Sequence, residues 1–350
     1  MGLTNIAAVW DPQTWIQGAR EGAAKAPVIF NSGLVRRGQL FDQIASGAGT
    51  TTEIPFWTDF TDSSSPEEIQ VEDTAPSTNS IGHNKMKATI MNRVAKFGAT
   101  ALAAQIVGDD PVAEITAQLG LWRLMRRQDT LIAILRGVMG TGAQTPGQAQ
   151  GCLRANRRDI FSETGASPTS EKLIDVDEFI DTVALLGELG GNLQNGAVYM
   201  HPNIKAALEK IDASSFKNGV QSGLPFTIQT YRGIPLFVSE KLVRAGTTSG
   251  FVYDTYIAGA GQVAYGEKPQ AADTGDTIDT AALQFYADKD KNNAYLYDRT
   301  RFTLHVNGTR WGGSPAGSSA TNAELQTHGN WTLVGSSANR TAIACLRSNG

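Results

Sequence analysis

"DDPVAEITAQLGLWRLMRRQDTLIAILRGVMG", residues 109–140, reads as one continuous helix, and that reading decides what kind of molecule must surround it. A helix of about thirty residues, rising about 1.5 Å per residue, is a rod of roughly 45 Å, longer than a compact enzyme core usually needs. Asp110 offers an N-cap and Pro111 suits the first helical position, where no amide hydrogen is required. Val112, Ile115, Leu119 and Trp122 recur at three- and four-residue steps, and Met125, Ile132 and Leu135 carry the apolar stripe toward Gly137 and Gly140, so one side must pack on protein. Arg123, Arg126 and Arg127 lie between these positions with only Asp129 as an acid within a turn. They read either as a solvated face or as a docking surface, and the helix alone does not choose.

The segment ahead of the helix is the other informative one. "TEIPFW" at residues 52–57 and the alternating stretch from Lys85 to Lys96 read as two strands flanking a middle rich in Ser, Thr, Pro and acids. In the returning strand Met86, Ala88, Ile90 and Val94 share one face, interrupted by Asn92, and Lys85, Lys87, Thr89 and Arg93 share the other, the period of a strand covered on one side. Charges are segregated along this hairpin. Glu53, Asp59, Asp62, Glu67, Glu68, Glu72 and Asp73 come without a Lys or Arg among them, and Lys85, Lys87, Arg93 and Lys96 follow without an acid. A ribbon with arms of a dozen or more residues reaches roughly 40 Å at about 3.3 Å per residue. It is only marginally stable alone in water, so it must lie on something.

Beyond the helix, "TGAQTPGQAQG" and "SETGASPTSEK" are connectors. A helix bearing Phe179, Ile180, Val183, Leu185, Leu186 and Leu189 is expected to end at Gly190-Gly191. "GAVYMHPNIKAALEKID" reads as a strand, a turn through Pro202 and a helix with Ile204, Leu208 and Ile211 on one face. Strand-rich segments complete an α+β unit over about residues 181–295, and the tail reads as a short capped helix and a final strand.

A chain of 350 residues, 41% hydrophobic and 18% charged, can bury a sizeable core and is expected to split into two or more domains. A formal charge of -4 argues against nucleic acid as the ligand of the whole surface while leaving room for a local basic arm. Cys152 and Cys345 have no metal-ligand spacing and fit a reducing compartment. The opening residues lack a cationic segment followed by an apolar run, and no stretch of eighteen apolar residues occurs. Neither a signal peptide nor a membrane span is therefore expected, and the cytoplasm is the expected site of synthesis. The glycosylation-like triplets at Asn307, Asn330 and Asn339 are read as chance matches.

No pattern of residues in the chain specifies a chemistry. His83, His201, His305 and His328 are scattered and form no ligand pattern. "GAGQVA", residues 259–264, has dinucleotide-fingerprint spacing, but Gly266 and Pro269 come too soon for the helix that would receive a pyrophosphate. Gly261 and Gly266 have phosphate-loop spacing, yet Glu267 stands where the lysine belongs. No nucleophile elbow appears, and Cys152 has no identifiable base. No enzyme, metal or cofactor is expected.

The order of elements, together with "TEIPFW", "VYMHPNIKAALEK" and "RFTLHVNGTRW" followed by "SPAGSSATNAELQTHGNWTLV", resembles the major capsid proteins of tailed bacteriophages with the Hong Kong 97-like fold. The resemblance implies an α+β chain divided into an N-terminal arm (1–49), an extended β-hairpin loop (50–96), a peripheral domain (97–180) with a spine helix at 111–137, an axial domain (181–295), and a return to the peripheral domain with a C-terminal strand (296–350). It implies hexamers and pentamers in an icosahedral shell enclosing double-stranded DNA, built in the bacterial host cytoplasm. The expected partners are a separate scaffolding protein, a portal and decoration proteins, with no membrane. An encapsulin-like compartment and a hydrolase with the hairpin as its lid are the alternatives. The expected contacts between subunits join the acidic tip, Glu67, Glu68, Glu72 and Asp73, to basic groups of a neighbour, with Arg123, Arg126 and Arg127 as candidates and Lys85, Lys87 and Arg93 as the hairpin's own cations. The competing reading is an exposed tip whose ion pairs contribute little.

Overall fold

The computed structural model describes residues 27–57, 69, 70, 72, 74, 75, 81–100, 111–140, 151–165, 167–191, 196–219, 228–268, 283–288, 290, 292–335 and 338–350. The long helix is present as Pro111–Met139; Asp110, its expected cap, lies outside the described residues. Gly140 follows with φ +78, and Arg157 donates to the carbonyls of Met139 (2.6 Å) and Gly140 (3.0 Å), satisfying acceptors that a helix end leaves open.

The helix is covered differently along its length. Before Arg127 only Leu119 among its described positions is buried, whereas from Arg127 to Met139 nearly every position is, including Gln128 and Thr130. The expected one-sided stripe gives way to burial all round in this second half because two sheets close on it. Its core neighbours are Met91, Phe302, Leu304 and Val306 of one sheet and Tyr199, Tyr256 and Cys345 of the other. At Gly137 a Cβ would come within 2.0 Å of the Leu325 carbonyl oxygen and 2.6 Å of Trp331 Nε1, so a glycine is needed for the helix to seat against residues 325–331.

The six-stranded sheet runs Val35–Arg37, Val263–Glu267, Asn293–Val306, His83–Thr100, Thr51–Trp57, with Leu283–Asp288 also paired to Asn293–Val306. All its pairings are antiparallel except the first. The nine-stranded sheet runs Arg157–Asp159, Ile343–Ser348, Ser249–Ala258, Ala197–Met200, Ile234–Val238, Ile228–Tyr231, Phe216–Gly219, and Ser249–Ala258 also pairs Val243–Ala245 and Thr164–Gly165. One face of this sheet meets the long helix; the other is covered by helices Val176–Ala184 and Pro202–Ile211, whose Phe179, Ile204 and Leu208 pack on Val198, Met200, Ile257, Ala344 and Leu346. Sheet membership interleaves the expected segments. Val263–Glu267, inside 181–295, pairs in the six-stranded sheet, and Ile343–Ser348, inside 296–350, pairs in the nine-stranded one.

Several local expectations change. The helix expected through Leu189 stops at Ala184 and resumes only as Glu188–Gly191, with Gly187 at φ +58 between them. In Pro202–Ile211, Ile204 and Leu208 are buried but Ile211 is 55% exposed. The strand His83–Thr100 is covered on both faces at Ala88, Thr89, Ile90 and Met91, while Val94 is 68% exposed, because the layers around it end before Val94. "GAGQVA" is a strand-to-strand turn that leads into Val263–Glu267 with no helix following.

Candidate assembly surfaces

The base of the hairpin is built by Thr51–Trp57 pairing antiparallel with His83–Thr100, in register from Thr51 opposite Thr89 to Trp57 opposite His83. Ile44, Ile54, Ala88 and Ile90 form the small core beneath it. The charges segregated along the sequence meet across the strands: Lys85 Nζ lies 3.1 Å from Glu53 Oε2, and Arg310 is 3.9 Å from the same carboxylate. The hydrogen bond from Lys85 and its charge hold the Glu53 carboxyl below its ordinary range. Lys87 stands opposite Glu53 and is partly exposed. Glu72 is exposed; Glu67, Glu68 and Asp73 lie outside the described residues.

The three helix arginines do not share one environment. Arg123 donates to both carboxylate oxygens of Asp298, at 3.0 and 2.5 Å. Arg127 is buried, 2.5 Å from Glu267 Oε1, within 3.3 Å of the Tyr265 hydroxyl and 4.0 Å above the Phe302 ring. Both fasten the helix to the six-stranded sheet of their own chain. Their acids sit 175 and 140 residues away, so no reading of the helix alone reveals them. Arg126 alone stays outside, 61% exposed and 3.3 Å from Asp129. Arg93 also turns inward, donating to the Ala320 carbonyl and to Asn322 Oδ1.

A further ionic fastening lies between two strands of the nine-stranded sheet and the long helix. Asp254 is fully buried, with Oδ2 bonded to Arg136 Nε and Oδ1 to Arg347 Nε, each at 2.8 Å. Burial alone would raise this carboxyl, but the two guanidinium groups hold it below its ordinary value. The available signal was a polar residue inside an otherwise apolar strand, Asp254 in "FVYDTYIA" and Arg347 in "IACLRS".

Nothing described assembles into a catalytic constellation. Burial pushes the Cys152 and Cys345 thiols up to about 12 and His305 down to about 4, so each is held neutral. Among the described residues no cluster of three or more His, Cys, Asp or Glu is placed to hold a metal, and no helix is long and apolar enough to cross a membrane. A cleft of about 350 Å³ is lined by Arg37, Gly120, Arg123, Arg127, Glu267 and Lys268, and another of about 370 Å³ mainly by apolar groups around Phe179 and Ile234. Neither pairs a nucleophile with a base.

No family model matches the chain. It is 25% identical over 338 residues to a major capsid protein of Bacillus phage SPP1, spanning 95% of both chains. Among solved structures it is similar to the capsid of Ralstonia phage GP4, with a TM-score of 0.62 and 9% identity over 99% of this chain and 98% of that one. It is also similar to the capsid of Cyanophage P-SCSP1u, with a TM-score of 0.55 and 12% identity over 84% and 89%. The chain therefore has the Hong Kong 97-like fold of phage capsids and is related along 95% of its length to a phage major capsid protein.

Proposed function

We propose that the chain is the major capsid protein of a tailed bacteriophage, a structural subunit that assembles with copies of itself into hexamers and pentamers and so into the icosahedral shell around double-stranded DNA. The observation that carries this reading is the end-to-end correspondence with a phage capsid structure, 99% of one chain on 98% of the other, joined to a full-length sequence relative that is a major capsid protein. Capsid ancestry and fold imply a structural rather than a catalytic role.

The parts then take these roles. The nine-stranded sheet with its two helices supplies the axial domain, and the six-stranded sheet with the long helix supplies the peripheral domain. Residues 1–49 act as the arm and 50–96 as the extended loop. That loop is too slender to stand alone and is supported on a neighbouring copy, where repetition around the shell multiplies a weak contact. A separate scaffolding protein, a portal and decoration proteins complete the particle, which is built in the host cytoplasm with packaged DNA on its inner face.

The test is negative-stain electron microscopy of the chain expressed in bacterial cytoplasm, with and without its neighbouring genes. Closed shells or rings of five or six subunits are expected. A persistent monomer under both conditions would overturn the reading.

A further inference from the structure

The segment "GQVAYGEK", residues 261–268, forms no phosphate loop, yet its strand carries Lys268 to a charged cleft beside the long helix. The cleft, about 350 Å³, lies between the first half of that helix, at Gly120, Arg123 and Leu124, and the ends of the paired strands Val35–Arg37 and Val263–Glu267. Two of its four cations are fixed in place. Arg123 gives Nε and Nη2 to the two oxygens of Asp298, and Arg127 gives Nη2 to Glu267 and Nε to the Tyr265 hydroxyl. Neither guanidinium can turn without breaking those bonds, and each has Nη1 left over as a donor. Glu267, the acid lining the cleft, has its other oxygen bonded by the Tyr265 hydroxyl. Arg37 pairs with Asp42, and Lys268 has no carboxylate partner among the described residues. Four cations and their three acids, Glu267, Asp298 and Asp42, leave the cleft one positive charge, on a chain whose formal charge is -4.

We infer that this cleft receives phosphodiester groups of the double-stranded DNA that the shell encloses. The inference rests on the proposed shell function and assigns the side of the subunit that faces the genome. Two fixed Nη1 donors and a lysine ammonium suit the charged oxygens of a phosphodiester. Leu124 is the one aliphatic side chain lining the cleft, so a protein partner would find little apolar surface there, whereas contacts to a phosphate backbone need none. A single net charge makes each contact weak, and repetition in every copy of the shell sums it. Such a surface holds a genome that must still be released.

The experiment attaches the photo-reactive thiol reagent azidophenacyl bromide to a Gly120→Cys subunit and irradiates DNA-filled particles built from it. A Cβ at Gly120 would meet nothing within 4 Å, so the substitution fits. Burial keeps the Cys152 and Cys345 thiols protonated, which directs the reagent to position 120. Mass spectrometry after nuclease trimming should find nucleotide adducts on the peptide bearing that position. Adducts to protein alone would overturn the assignment. In parallel, Arg37→Gln with Lys268→Gln should form shells at the parent's yield. As an unassembled subunit this double variant should show a shallower dependence of log affinity for a short DNA duplex on log salt, its slope smaller by about 2, at about 0.9 per cation removed. An unchanged slope would remove the cleft as a phosphate site, and loss of shells from the double variant would make it a contact between subunits instead. Absence of shells from the parent chain would remove the shell reading itself; shells that fill with DNA and give no adduct at position 120 would remove only the cleft.

Discussion

The two sheets share the long helix as a common layer and differ in how they are finished. The nine-stranded sheet has helices on its second face and a fully buried Asp254 bridging Arg136 and Arg347, so its interactions close within the chain. The six-stranded sheet is closed only at one end. There Thr303 and His305 are buried and Arg301 donates to the Gly47 and Gly49 carbonyls, and the outer face opens at Arg299, Tyr297 and Tyr295. A sheet completed internally is suited to hold a subunit together, and one left open to hold subunits to each other. Substitutions in the first should register in the stability of the free subunit. Those on the open face of the second should leave that stability alone and register in assembly.

The sharpest way to break this comparison is Asp254→Ala. Removing the shared carboxylate strands the fully buried Arg347 guanidinium, while Arg136 keeps the Lys241 and Val243 carbonyls, and breaking a buried pair in this way costs about 3–5 kcal/mol. Chemical denaturation of the unassembled subunit should show a loss of that size, and a loss below about 1 kcal/mol would mean that water reaches the site and the sheet is not internally closed.

Acid comes next. His305 is neutral when folded, with its value lowered from 6.5 to about 4 by burial, while the unfolded chain binds a proton near 6.5. Between those values the unfolded state holds more protons, so stability falls as pH drops from about 6.5 to 4, by roughly 3 kcal/mol at about 1.36 kcal/mol per pH unit. Glu163, held at about 2 by its hydrogen bond from Arg244, works in a lower window: its stabilising contribution is intact above about 4.5 and is lost as pH falls from there toward 2. Denaturation curves of His305→Gln should lose the upper slope and keep the lower one. An unchanged upper slope would place the titration elsewhere.

Gly137→Ala tests how the helix that both sheets share is seated against residues 325–331. The added methyl would press on the Leu325 carbonyl and the Trp331 indole, and overpacking of this kind costs about 1–3 kcal/mol. A variant as stable as the parent would show that the helix and residues 325–331 can separate cheaply.

What the sequence disclosed follows the same division. The long helix was legible because Pro111 and the steps from Ile115 to Leu135 are local signals, and the helix beginning at Pro202 was legible for the same reason. The strand at 83–100 was legible as a strand, but the burial of Thr89 and Met91 depends on layers contributed by residues far along the chain. Arg123, Arg126 and Arg127 look alike in one dimension. Their separation into two inward anchors and one exposed group is decided by Asp298 and Glu267, which only the folded sheet brings near. Tyr286, Tyr295, Tyr297, Lys96 and Arg299 became a common face only once register was known, since they belong to three strands.

The smallest expected effect separates strand pairing from charge at the root of the hairpin. Lys85 and Glu53 sit 3.1 Å apart, but both side chains are about half exposed, 57% and 47%, and such solvent-exposed pairs contribute little, less still as salt screens them. Lys85→Ala should therefore leave the denaturation midpoint of the subunit almost unchanged, with any difference fading at high salt. The seven-residue register from Thr51 to Trp57 and the core of Ile44, Ile54, Ala88 and Ile90 remain in place to hold the base. A larger loss that persists in salt would show that Lys85 also contributes packing through its aliphatic stem. The root of the hairpin would then belong with the internally closed part of the molecule, and the boundary between fold and assembly surface would move outward past Trp57.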